Sequence, residues 1–121
     1  MTPNTLKDQG LALFREERLP EATEKFKEAA RAYANAGDRS GEAEMKNNLA
    51  VIYLADKDYT AALAAVEGTP AVFEQAGDTL RQAQALMNLA NAHDGADHVE
   101  QAADLYVQAI ELFDRLGEKE H

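Results

Sequence analysis

At 121 residues the chain has the length of one domain, and 45% apolar content is ordinary for a globular protein. Its net charge is −10, with 22 acids against 12 bases, so it lacks the clustered Lys and Arg that release counterions from a phosphate backbone. That argues against nucleic acid and anionic membrane and favours a neutral or basic partner. Without cysteine there is no disulfide, thiolate nucleophile or Cys-ligated zinc site. Neither a membrane-length apolar run nor a signal-peptide pattern is present, so a cytoplasmic protein is expected.

Alanine dominates the apolar set, Trp is absent, and the strand formers Val and Ile are scarce. Helices are therefore predicted, and punctuation delimits them in chain order. Thr2-Pro3 reads as a cap followed by a first-turn proline, opening a helix over 3–17. Leu19-Pro20 opens the second, over 20–36, which Gly37 closes in a left-handed conformation. Asp38 caps a third over 39–55, and "ADKDY" (Ala55 to Tyr59) leads into a fourth over 59–76. Gly77 and Asp78 repeat the stop and cap before a fifth helix over 79–93. "HDGAD" (His93 to Asp97) then precedes a sixth over 98–116. Within the fourth, Gly68-Thr69-Pro70 predicts a kink or break, because an interior proline removes a hydrogen bond and clashes with the preceding turn. Gly68 would end one segment, Thr69 cap the next and Pro70 occupy its first position.

The chain repeats itself every 40 residues. "AGDRSGEAEMKNNLA" (Ala36 to Ala50) returns as "AGDTLRQAQALMNLA" (Ala76 to Ala90), and Gly117 falls forty positions after Gly77. Aligned in three rows, Gly10, Ala50 and Ala90 share a column, as do Ala22, Ala62 and Ala102. Phe26, Val66 and Tyr106 share another, followed by Tyr33, Phe73 and Phe113. Apolar residues step by three or four within each row, for example Ala102, Leu105, Tyr106, Ala109, Ile110 and Phe113. Two helices per repeating unit predict an all-α solenoid of three antiparallel helix pairs, A and B, with the small columns at the A–B crossings. The units are about 1–37, 38–77 and 78–117 in a single domain spanning 1–121.

Row by row the chain resembles the tetratricopeptide repeat (TPR) family. Row two supplies Lys46, Leu49-Ala50, Tyr53, Ala62 and Val66, and row three Leu86, Leu89-Ala90, His93, Ala102 and Tyr106. Row one supplies Leu6, Gln9-Gly10, Leu13, Ala22 and Phe26. Lys46, Gln9 and His93 depart from the family pattern, as does the unit's length beyond ~34 residues. "KNNLAVIYLADKDYTAA" is most similar to the longer repeats of the kinesin-light-chain type. HEAT-like pairs are the alternative, disfavoured by the Asn-Leu-Ala and small-residue pattern.

The resemblance implies a right-handed superhelix whose A helices line a concave, non-enzymatic, peptide-binding surface. Carried over by column, that groove takes Asn4, Lys7, Asp8 and Leu11 from the first A helix. The second gives Glu44, Asn47, Asn48, Val51 and Leu54, and the third Gln84, Met87, Asn88 and Asn91. Asn48 and Asn88 share a column, and an amide can both donate to and accept from the backbone of an extended peptide. The family's carboxylate clamp fits only at Lys7 and Asn48, since Leu11, Gln84 and Asn88 replace its other members. Binding of chaperone C-termini is therefore not expected.

Other chemistry is thin. Ser40, the only serine, lies beside a helix cap without a base. Asp56, Asp58, Thr60 and Glu67 match calcium-loop offsets but have Ala61 where the turn needs glycine. His93, Asp94, Asp97 and His98 fall in one turn, where such residues cap and reverse chains. No metal and no cofactor are predicted, although a small enzyme or metal protein built around His93 and His98 is a third possible class.

The sixth helix is apolar where the second is charged: Leu105 replaces Lys25 and Val107 replaces Lys27. Leu105, Val107 and Leu112 are accordingly expected to form an oligomer interface, as in a homodimer, or to meet further repeats of a longer array. The competing reading to a peptide-binding scaffold is thus a self-associating structural module.

Overall fold

The computed structural model describes residues 1–119, and all the regular structure within them is helical. The elements are α1 (Pro3–Arg15), α2 (Leu19–Asn35), α3 (Arg39–Ala55), α4 (Tyr59–Val66), α5 (Thr69–Gln75), α6 (Thr79–Gly95) and α7 (Val99–Lys119). Helix α1 packs on α2, α2 on α3, and α3 on α4 and α5. Helices α4 and α5 then meet α6, which packs on α7. The chain is an α-solenoid of three A–B pairs, α4 and α5 being two halves of the second B helix.

Capping residues start the helices where the sequence puts them. The Asp38, Asp58 and Asp78 carboxylates accept from the N–H groups of Gly41, Ala61 and Arg81 at 2.8, 3.2 and 3.1 Å, and Thr2 Oγ1 accepts from Thr5 at 3.1 Å. Each satisfies an amide that the first helical turn leaves unpaired.

The five turns between antiparallel helices share one geometry, recurring every twenty residues. The N–H groups of Arg18, Asp38, Asp58, Asp78 and His98 donate to the carbonyls five residues back, at 2.8–2.9 Å. In each, the residue before the donor is left-handed, as a Schellman ending requires. Gly37 and Gly77 fill that position at φ 76° and 73°, whereas Glu17, Lys57 and Asp97 adopt φ 61°, 60° and 66° despite their side chains. Gly117 does not continue the series. It lies inside α7, which runs on to Lys119.

The second B helix breaks at the expected place, with a different division of labour. Gly68, not Thr69, holds the cap position, and Thr69 begins α5 with its side chain buried. Pro70 cannot donate to the Val66 carbonyl four residues back. The Thr69 hydroxyl stands 2.9 Å from that carbonyl and 2.9 Å from Asn47 Oδ1, so its one proton is shared between the two acceptors.

The core lies in sheets between successive layers. Leu6, Phe26, Tyr33, Met45 and Ile52 knit the first pair to α3, and Val66, Phe73, Ala85 and Leu89 join the second pair to α6. Ala83, Leu86, Ala109 and Leu112 close the third pair. The A–B crossings use the small columns: Ala50 and Ala90 are wholly buried, and a Cβ at Gly10 would stand 2.7 Å from the Phe26 ring. Contact that close leaves no room for a larger side chain.

Candidate functional site

The A-helix surface carries two adjoining cavities. The first, about 160 Å³, lies between α1 and α3 and is lined by Leu11, Phe14, Phe26, Asn48 and Val51. It is largely apolar, with the Asn48 amide at its edge. Val51 remains 41% exposed, so its isopropyl group is open to solvent at the cavity mouth.

The second cavity, about 200 Å³, is polar. Asn4, Lys7, Ser40, Glu44, Asp78 and Arg81 are among its lining residues, with the Tyr33 and Phe73 rings behind them. Arg81 reaches across from α6 to α3, donating to Glu44 at 3.1 Å and to Asp78 at 3.0 Å. The hydrogen bond to Asp78 and the nearby Glu44 charge raise the Arg81 pKa against the effect of burial. Partial burial would lift the Asp78 carboxyl, yet the Arg81 amide and guanidinium outweigh it and hold the group below its ordinary range. The Tyr33 phenol, pushed up by burial and by the carboxylates of Glu44, Asp38 and Asp8, donates to Asn4 Oδ1.

The column-derived groove is therefore partly assembled. Leu11, Asn48 and Val51 meet in the apolar cavity, and Lys7 and Glu44 in the polar one. Gln84 is exposed and Asn88 half-buried, but neither lines these two cavities. Asn91 is exposed and accepts from the Tyr106 hydroxyl, so its amide also ties α6 to α7. Met87 packs against the third core cluster.

Asn47 is a correction. It is buried and holds Thr69, because the A helix turns this column toward the broken B helix and away from the groove. Phe14, Tyr33 and Arg81 were missed by column transfer. Phe14 stands three residues after Leu11, a spacing that puts both on one helix face; Arg81 gave no signal, because its column holds Gly41 and Met1.

His93 and His98 face each other across the turn between α6 and α7. The two imidazoles meet at Nδ1–Nδ1 2.9 Å, and among the described residues no three His, Asp or Glu side chains gather as a metal site would need. In the calcium-like string, Asp58 is spent on capping α4.

On α7, Leu112 is buried and Leu105 packs between the second and third core clusters. Leu112 is thereby withdrawn from the anticipated oligomer interface, whereas Leu105 stays half-buried. Val107 alone of that trio faces outward.

Stacked antiparallel pairs with a lined A-helix surface define a helical-repeat protein. The tetratricopeptide repeat model matches residues 41–115, more than half of the 121, and the chain belongs to that family. No curated protein matches the chain. The family is in general a protein–protein interaction module, typically a non-catalytic scaffold. Among the described residues no helix is long and apolar enough to cross a membrane.

Proposed function

We propose that this chain is a scaffold of three helix pairs, 1–37, 38–77 and 78–117, that binds an extended segment of a partner protein along its A-helix surface. The observation that carries the reading is the apolar cavity of Leu11, Phe14, Phe26 and Val51 with the Asn48 amide on its rim. A small apolar side chain of the ligand enters that cavity while Asn48, and further along Asn88, bond its backbone. The neighbouring polar cavity presents Lys7 and the linked Glu44–Arg81 pair, so it accepts a polar side chain of either sign. With a net charge of −10 the surrounding field favours a neutral or basic segment.

A displayed random-peptide library panned against the chain tests this. Selected peptides should weaken about tenfold or more with Val51→Asp, which puts a charge into the cavity, and several-fold with Asn48→Ala. Ligands indifferent to both changes would refute the reading.

A further inference from the structure

The last helix carries a second, partly exposed apolar face. Val99, Ala103, Tyr106, Ile110 and Phe113 are spaced four, three, four and three residues apart, which is the spacing of a helix–helix seam. In the first two repeats the same columns face the next A helix. They hold Leu19, Thr23, Phe26, Ala30 and Tyr33, then Tyr59, Leu63, Val66, Pro70 and Phe73, and every one is buried or half-buried. Phe26 and Tyr33 lie under Met45 and Ile52 of α3, and Val66 and Phe73 under Ala85 and Leu89 of α6. In α7 each column is more exposed. Val99 is 66% exposed, Ile110 52%, and the Tyr106 and Phe113 rings are only half-covered. The seam thus repeats the columns that the earlier layers bury between repeats, and within the described residues it is left partly exposed.

Its margin indicates what fits. On the flank away from the core run Glu100, Val107 and Asp114, with Asp104 and Glu111 beyond them, all exposed. Arg115 is the single base between residues 99 and 117. Positions flanking a seam choose the partner through their charges. A second copy docking seam to seam in antiparallel fashion about Val107 would set Glu100 of one chain against Asp114 of the other, a like-charge contact that disfavours the pairing. We infer that the α7 seam docks an amphipathic helix of a partner protein with basic flanking residues, covering Val99, Tyr106, Ile110 and Phe113 as an A helix covers the earlier layers.

The proposal does not depend on the A-helix groove, and its test separates the two. The probes are two fluorescein-labelled helical peptides of ~20 residues with Leu at the seam positions, one flanked by Lys and the other by Glu. Anisotropy at low salt should show the Lys peptide binding at least about tenfold more tightly than the Glu peptide. Ile110→Asp should abolish that binding while Val51→Asp leaves it unchanged. Because a cationic peptide is drawn to any acidic chain, the decisive variant is Glu100→Lys with Asp114→Lys, which should reverse the preference toward the Glu peptide. Circular dichroism melting of each variant establishes that it is folded. Equal binding of the two peptides, binding that survives Ile110→Asp in a folded chain, or no binding of either would overturn the proposal. So would a stable dimer in sedimentation that Ile110→Asp dissociates, which would assign the seam to a second copy.

Discussion

The second helices of the first two repeats occupy the same columns and solve the same packing problem differently. Helix α2 runs unbroken from Leu19 to Asn35, whereas its counterpart is divided into α4 and α5 at Glu67–Gly68. Both still deliver a buried pair seven residues apart, Phe26 with Tyr33 and Val66 with Phe73. Both end in the same glycine turn, at Gly37 and Gly77. A helix can therefore lose its continuity without losing its register, provided the severed carbonyl finds another donor. Here Thr69 supplies it, and the hydroxyl's second contact to Asn47 fastens the break to α3. The groove-lining role that column arithmetic assigned to Asn47 was displaced by this repair.

The strongest perturbation of that comparison is to empty the equivalent core positions. Phe26→Ala and Phe73→Ala should each cost about 3–5 kcal/mol in urea denaturation, as for other fully buried phenylalanines. If the break leaves α5 freer to collapse into the void, the Phe73 change falls at the lower end. Thr69→Val keeps the shape but removes the hydroxyl, stranding the Val66 carbonyl and the Asn47 amide oxygen. A loss of about 1–3 kcal/mol is expected by the same measurement, with no comparable effect of Thr23→Val in unbroken α2, where the half-buried hydroxyl bonds only the Leu19 carbonyl.

A smaller effect tests the turn that follows α5. Asp78→Ala removes the α6 cap and should cost about 1 kcal/mol at neutral pH. The folded carboxyl lies below the ordinary value of 3.8, so its contribution is fully present above that value and is lost as pH falls through the depressed folded pKa. The stability gap between wild type and Asp78→Ala, followed by thermal melting, should accordingly close below about pH 3.8 and stay constant from pH 5 to 8. Smallest of all is Pro70→Ala. It allows a backbone donor back to Val66 but loosens the unfolded chain, and the opposing contributions should leave stability within about 1 kcal/mol. Hydrogen exchange at Ala71 and Val72 would show whether the two halves fuse.

Most of the architecture was legible in the chain because it rests on short-range rules repeated at a fixed interval. Capping aspartates, left-handed glycines and apolar steps of three or four act within a turn or two, and the 40-residue period multiplies each signal. The turns at Glu17, Lys57 and Asp97 were legible only as polar interruptions, since nothing in those side chains announces a positive φ. The candidate groove was half legible. Leu11, Asn48 and Val51 were reached by column, but the Phe14 wall and the Arg81 bridge depend on how far apart successive layers stand.

Periodicity and composition by themselves determined that the chain forms paired helices stacked in register, because none of these helices can hide its apolar stripe alone. Only the tertiary structure decided which side of each helix is spent on that stacking. It turned Asn47 and Leu112 inward and left Val51 and Ile110 exposed. The reason is geometric: spacing along a helix gives the angles between its side chains, but the direction in which the whole helix is rotated is set by the neighbours it packs against.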